Sequence, residues 1–164
     1  GAEKDVDKAR LDITHYEALS DEQVEAIENK ANEIVVKNLP VKQQWLPRID
    51  AEKKFGFTIY QGGALPLKQL RIISVGNIDH EADGGTHVDS TSEVGNILIF
   101  KTKRIQDGVV RLEFASGDVA LNYLREKGKI LQEVAKKLNV KEEDVPLAVQ
   151  KLFDRWKQKR KESK

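Results

Sequence analysis

Cysteine and methionine are both missing from the 164 residues of this chain. Without a thiol there is no disulfide framework, no thiolate nucleophile and no cysteine zinc ribbon, and thiols give no reading of the redox compartment. Aromatic residues make up only 6%. No stretch approaches the roughly 20 apolar residues that a membrane span requires. The opening segment Glu3-Lys4-Asp5-Val6-Asp7-Lys8 has no signal-peptide core, so a cytoplasmic protein is expected. Gly1-Ala2 stands where an initiator methionine would stand, which reads as a piece cut from a longer protein. The length suits one compact domain with an appendage.

Charge is abundant, at 34% of residues, and balanced to a net +1. The balance hides a gradient: residues 1–54 carry net −3, residues 55–124 net −2, and residues 125–164 net +6. The positive charge is concentrated at the C-terminus.

The spacing predicts a helix beginning at Ser20, with Ser20 and Gln23 as a capping box and Leu19 and Val24 at the staple positions. Val24, Ile27, Ala31, Ile34 and Val35 give it one apolar face, expected to lie on a sheet, until Asn38-Leu39-Pro40 stops it. Val41 to Leu46 reads as a strand and Ile49 to Phe55 as a short helix closed by Gly56. Phe57-Thr58-Ile59-Tyr60 alternates as a strand before a Gly62-Gly63 and Pro66 loop. Leu70 to Val75, Ile97 to Lys103 and Val109 to Phe114 are apolar runs, the last two joined by a turn at Gln106-Asp107-Gly108. Asn77 to Gly95 is the least regular part, and long irregular segments inside a compact domain are usually functional. From Ser116 onward Ala120, Leu124, Leu131, Val134 and Leu138, then Val145, Val149, Leu152, Phe153 and Trp156, mark two helices expected as a projecting antiparallel hairpin.

His80-Glu81-Ala82-Asp83-Gly84-Gly85-Thr86-His87 gathers two of the three histidines, two carboxylates and paired glycines in eight residues. Imidazole and carboxylate both suit zinc, and glycines let backbone approach a ligand closely. Asp-Gly-Gly is equally a common turn, and histidines in polar loops are commonly solvated. His15 reads as a hydrogen-bonded histidine near the start of the helix.

Asp83-Gly84-Gly85-Thr86-His87-Val88, followed by Ser90-Thr91-Ser92-Glu93-Val94-Gly95, resembles the Cys-Gly-Gly-Thr-His-Val…Thr-Gly-Glu-Ile-Gly signature of the alanyl-tRNA synthetase editing domain, a relative of the free-standing AlaX proteins and of the threonyl-tRNA synthetase editing domain. The stretches Ala9 to Tyr16, Ala51 to Phe57 with Tyr60-Gln61-Gly62-Gly63, and Gly108 to Glu113 with Ser116-Gly117 look like the archaeal form. The resemblance implies an α+β fold, with a mostly antiparallel sheet packed by helices over residues 1–115 and a helical hairpin stalk over 116–164. It implies hydrolysis of the ester joining serine or glycine to the acceptor end of alanine tRNA, within a parent enzyme that charges that tRNA with alanine using ATP. A synthetic pocket for alanine cannot exclude glycine by size and rejects serine only modestly, so a second, hydrolytic site is the remedy.

The family holds zinc by a His-x-x-x-His pair and by the Cys and His of the signature loop. Here no His-x-x-x-His occurs, and the cysteine position is Asp83. His87 carries over as a metal ligand, Asp83 is a possible oxygen substitute, and His80 is a further candidate, so an incomplete zinc site is expected. Gly84 and Gly85 are candidates for contact with the terminal adenosine, and Thr86 and Thr91 for hydroxyl groups acting near the aminoacyl moiety. Their alternative reading is loop architecture, with Thr91 capping the turn before Gly95. The basic C-terminal helices suit the acceptor stem of the tRNA or, through their apolar seam, a homodimer. Two other functions stay open: an inert module for tRNA binding or dimerisation, and a free-standing deacylase acting in trans.

Overall fold

The computed structural model describes residues 1–61, 63 and 66–162; Gly62 of the expected glycine loop and the last two residues of the basic tail lie outside them. The chain divides into two units, Gly1–Ala120 and Leu121–Lys164. In chain order the elements are β1 (Ala2–Lys4), β2 (Ala9–Thr14), α1 (Asp21–Val36), β3 (Val41–Pro47), α2 (Arg48–Phe55), β4 (Gln69–Val75), β5 (Asp79–Ala82), β6 (Ile97–Gln106), β7 (Val109–Ser116), α3 (Gly117–Leu138) and α4 (Val145–Glu162). The expected α+β class holds, with every strand pairing antiparallel. Two sheets form where one was expected, β1-β2-β7-β6 and β3-β4-β5.

The Ser20 helix forms as read. Ser20 Oγ accepts from the Gln23 N–H while Gln23 Oε1 accepts from the Ser20 N–H, at 3.3 and 2.9 Å. Its relation to the sheet is more specific than burial of an apolar face. β6 is an edge strand, and the Asn32 side chain accepts from the Ile97 N–H and donates to the Ile97 carbonyl, both at 2.8 Å. One residue pair on, Glu28 accepts from the Ile99 N–H at 2.6 Å. Polar side chains of α1 thus satisfy edge groups that would otherwise need another strand or water.

In the first sheet, alternation separates a charged face from an apolar one. Val110 and Leu112 are buried. On the opposite face Asp12 lies directly across from Arg111 and takes two parallel hydrogen bonds from its guanidinium, at 2.7 and 2.8 Å. Glu3, Arg10, Glu113 and Lys101 continue the face as cross-strand ion pairs. The Arg111 hydrogen bonds hold the Asp12 carboxyl below its usual range. A depressed folded-state pKa gives stability that is present above the unfolded value and is lost as pH falls through the folded one. Asp12→Asn is therefore expected to lower stability at pH 7 and to flatten its decline below pH 3.8. Urea midpoints at neutral and acid pH measure this, and parallel pH curves for the two proteins would refute it.

The second sheet is covered on one side by α2. Ala51, Ile59, Leu70 and Ile72 form its buried core, with Leu46, Phe55, Tyr60 and Ala82 packed around them. Phe57–Ile59, expected as a strand, is a single 3-10 turn. Gly56 leaves α2 at φ +77, a backbone state favouring glycine, and the Tyr60 N–H then bonds the Phe57 carbonyl, so the chain coils and drops Ile59 into the core. The segment expected as irregular is partly ordered too, since Asp79–Ala82 pairs with β4 and Thr91–Val94 is a 3-10 turn.

In the second unit, α3 ends in a left-handed Asn139, φ +52, whose N–H bonds the Lys136 carbonyl while the Val140 N–H reaches back to Ala135. Pro146 sits in the first turn of α4, where its missing N–H costs nothing. Ala135 and Val145 are buried, but Leu124, Ile130, Leu147, Leu152 and Trp156 are about half exposed. No helix among the described residues is long and apolar enough to cross a membrane.

Candidate functional site

Register in the β3-β4-β5 sheet assigns two faces. Leu46 opposes Leu70, Ile72 opposes Ala82, and Ser74 opposes His80, on the α2 side. Trp45 opposes Arg71, Ile73 opposes Glu81, and Val75 opposes Asp79, on the other. That second face opens a cleft of about 650 Å³ lined by Ile73, Val75, Asp79, Glu81, Ala82, Asp83 and His87, with Ala2, Glu3 and Lys4 of β1 and Gln61.

Two of the expected residues meet there. Asp83 Oδ2 lies 3.2 Å from His87 Nε2, and Asp83 Oδ1 accepts from the Gly85 N–H at 2.7 Å. That backbone bond holds the Asp83 carboxyl below its usual range against partial burial, with His87 and Lys4 adding to the effect. His80 does not join them. Strand alternation turns it to the α2 side, where Nδ1 lies 2.8 Å from Ser74 Oγ and the ring packs 4.3 Å from that of Phe55. His80 is thereby corrected from candidate ligand to packed core-side histidine.

Among the described residues no group of three or more histidine, aspartate or glutamate side chains is placed to hold a metal. Asp83 and His87 supply two donors where a protein zinc site takes three or four. The residues present therefore do not fit a complete zinc centre by themselves.

Thr91 is also corrected. It is only 6% exposed, and its hydroxyl accepts from the Leu39 N–H at 2.9 Å and donates to the Ile34 carbonyl at 2.8 Å. Helices that end in a left-handed residue, here Asn38 at φ +49, commonly close with a direct bond between such a pair. Thr91 inserts its hydroxyl as a relay in that bond, which leaves no hydroxyl proton for chemistry. Thr86 differs: it is exposed, and its hydroxyl has no partner among the described residues. Gly84 and Gly85 are exposed as well and lie, with Thr86, between the two cleft-lining residues Asp83 and His87. A side-chain carbon at Gly84 would meet nothing within 4 Å. His15 is held by the Glu17 backbone, near the start of the helix as expected.

Arg71 was missed in the sequence, and Glu81 was counted among the carboxylates of the loop without being singled out. Glu81 faces the cleft, and its Oε2 is screened from solvent with no hydrogen-bond partner among the described residues. Burial raises its pKa, Asp79 and Asp83 add repulsion, and Gln61 opposes the rise. Asp79–Ala82 gives no strand signal of its own, so nothing in the sequence sets Glu81 apart from its neighbours. Arg71 was hidden inside an apolar run, yet its guanidinium ties β3 to the signature loop.

Residues 70–113, which carry β4, β5, the signature loop, β6 and most of β7, match the family described as the threonyl and alanyl tRNA synthetase second additional domain. Over those residues the chain is thus similar to a domain of those two synthetases. Over nearly its whole length the chain is similar to a segment of archaeal alanine–tRNA ligase, as the sequence resemblance implied. It is 44% identical over 162 residues to the enzyme of Archaeoglobus fulgidus, covering 99% of this chain and 18% of that protein. The figures are 48% over 164 residues, 100% and 19%, for Methanocella arvoryzae. For Thermococcus kodakarensis they are 42% over 162 residues, 99% and 18%. The chain spans under a fifth of the length of these curated relatives.

Proposed function

We propose that this chain is most of the editing region of an alanine–tRNA ligase and that its cleft takes the aminoacyl ester of serine- or glycine-charged alanine tRNA for hydrolysis. The observation that carries this reading is the coincidence of the family match with the polar cleft: the matched residues supply Ile73, Val75, Asp79, Glu81, Ala82, Asp83 and His87, all of its lining except β1 and Gln61. The chain's own residues supply the chemistry. Glu81, Asp83 and His87 line the cleft, and Thr86, next to His87 in the chain, offers an unengaged hydroxyl. The parent's ligation of alanine to tRNA using ATP belongs to the same proposal.

Release of serine from serine-charged alanine tRNA, measured with and without added zinc and alongside metal content, tests the reading. Hydrolysis supports it. Binding of the tRNA without turnover under either condition overturns it. Thr86→Val in the full-length ligase is expected to slow serine removal by about tenfold or more while leaving glycine removal within about threefold, because only serine presents a hydroxyl to be sensed. Equal losses for both substrates would remove that role from Thr86.

A second reading, a tRNA-binding module without hydrolysis, is favoured by α4. Its cations lie on its aromatic rings, Lys157 at 4.4 Å from the Phe153 centroid and Arg160 at 5.4 Å from that of Trp156, beside Lys151, Arg155 and Lys161. Phosphate contacts made by these cations would release counterions, so tRNA affinity that falls steeply with salt, and loses that slope on removal of residues 151–164, is its signature.

A further inference from the structure

The sheet face that carries the cleft continues beyond it. Ile73 and His87 line both the cleft and a hollow of about 90 Å³ beside it, where Gln43 and Arg71 join them. Gln43 pairs with Ile73, and Trp45, two residues further along β3, pairs with Arg71, so Gln43 and Trp45 carry the same face out to an edge strand of the sheet. Gln44 and Leu46 between and beyond them turn to the α2 side, and Trp45 stays 66% exposed. Two strand spacings of about 4.8 Å and two residue steps of about 3.4 Å separate Trp45 from Glu81 by about 12 Å in backbone position.

Charge changes sign across these three strands. β3 and β4 contain Lys42 and Arg71 and no acidic residue, whereas β5 and the start of the signature loop contribute Asp79, Glu81 and Asp83. Among the described residues Arg71 is matched to no carboxylate: its guanidinium donates to Gln43 Oε1 and to the carbonyls of Asp83 and Gly85. An aminoacylated RNA end has the complementary polarity, with anionic phosphates behind and, at its tip, an α-amino group that is cationic when protonated. The cleft lining holds no phenylalanine, tyrosine or tryptophan, so the bases behind the ester find no such ring within it. Trp45 offers one on the cationic side of the same face.

We propose that the single-stranded acceptor end crosses this face from β3 to β5 and that one of its last two bases stacks on the indole of Trp45. The inference rests on the reading of the cleft as the site of the aminoacyl ester. An aromatic ring standing off a sheet is a common support for a base, and it accepts any base because each has a π-face. Arg71, next to Trp45 across the ladder, places positive charge where the phosphates pass. Trp45 touches no reacting atom; it holds the strand so that only the esterified tip reaches the carboxylates.

Trp45 and Trp156 are the two tryptophans of the chain, so Trp156→Phe leaves Trp45 as the sole indole reporter. The probe is an RNA hairpin carrying the acceptor stem of alanine tRNA and its single-stranded 3′ end. It is expected to quench Trp45 fluorescence, and the same hairpin without its last two bases to quench little. Trp45→Ala is expected to weaken binding of the intact hairpin by about 5- to 150-fold, the range for one stacked base, and of the abasic hairpin by less than about twofold. Trp45→Phe keeps a ring, should recover most of the affinity, and guards against an alanine variant that does not fold. In the full-length ligase without RNA, the fluorescence that Trp45→Phe removes is expected to be open to quenching by iodide. Equal losses for the intact and abasic hairpins, or the absence of base-dependent quenching, overturn the inference. A Trp45 shielded from iodide overturns it too, by showing that another part of the protein or a second copy covers this face. If base-dependent quenching is seen but wild type releases no serine, the proposed hydrolysis fails and the stacking site stands.

Discussion

Gly95→Ala is expected to destabilise the first unit by about 2–5 kcal/mol, the sum of backbone strain and forced overlap. Gly95 stands at φ +69 and ψ −175, a region that is essentially glycine-only. A side-chain carbon there would lie 2.8 Å from the Gly117 Cα and 3.2 Å from its nitrogen. Both neighbours are main chain and belong to the turn that opens α3, where the Gly117 N–H is bonded to the Asn96 carbonyl at 2.9 Å. Relief therefore requires the ends of β6 and β7 to separate. The urea midpoint measures the effect, and a loss below about 1 kcal/mol would show that the two turns yield easily.

Thr91→Val should follow closely, at about 2–4 kcal/mol, because the change removes one hydroxyl and strands two main-chain groups. The Leu39 N–H and the Ile34 carbonyl both depend on it, and an isosteric methyl blocks them from meeting directly. Thr91→Ser keeps the relay and should remain within about 1 kcal/mol of wild type. Paired unfolding curves decide between structure and chemistry. A Thr91→Val protein of undiminished stability that fails to release serine from tRNA would restore Thr91 to the reacting groups and overturn the relay.

What could be seen in the sequence was local. The Ser20 capping box, α2 ending at Gly56 and the hairpin turn at Asp107-Gly108 each follow from a few neighbouring residues, and the structure has all three. β5 was not visible, because Asp79-His80-Glu81-Ala82 has little intrinsic preference for a strand and is extended only by pairing with β4. The same gap hid the site. Without the strand there is no alternation, and without alternation His80 and Glu81 look equivalent, although one packs on Phe55 and the other faces the cleft. Resemblance identified Asp83 and His87, which the fold does bring together. It could not distinguish Thr86 from Thr91, since that difference lies in contacts of Thr91 with residues more than 50 positions away. Arg71 was missed for a related reason: a single arginine in Leu70-Arg71-Ile72-Ile73 reads as the polar face of a strand, and its partners are carbonyls that carry no side-chain signature.

The way α1 meets β6 bears on how the protein stays dispersed at high concentration. A long strand with free amides invites the same strand of another molecule, and the usual outcome is a growing ribbon rather than a closed pair. Asn32 and Glu28 occupy the Ile97 and Ile99 positions that such a ribbon would use. Fraying of one helix would release them together, turning a local opening into an intermolecular adhesive. The two polar side chains therefore act as a safeguard for the folding chain, and their worth would be seen less in a melting temperature than in the yield of protein recovered after refolding.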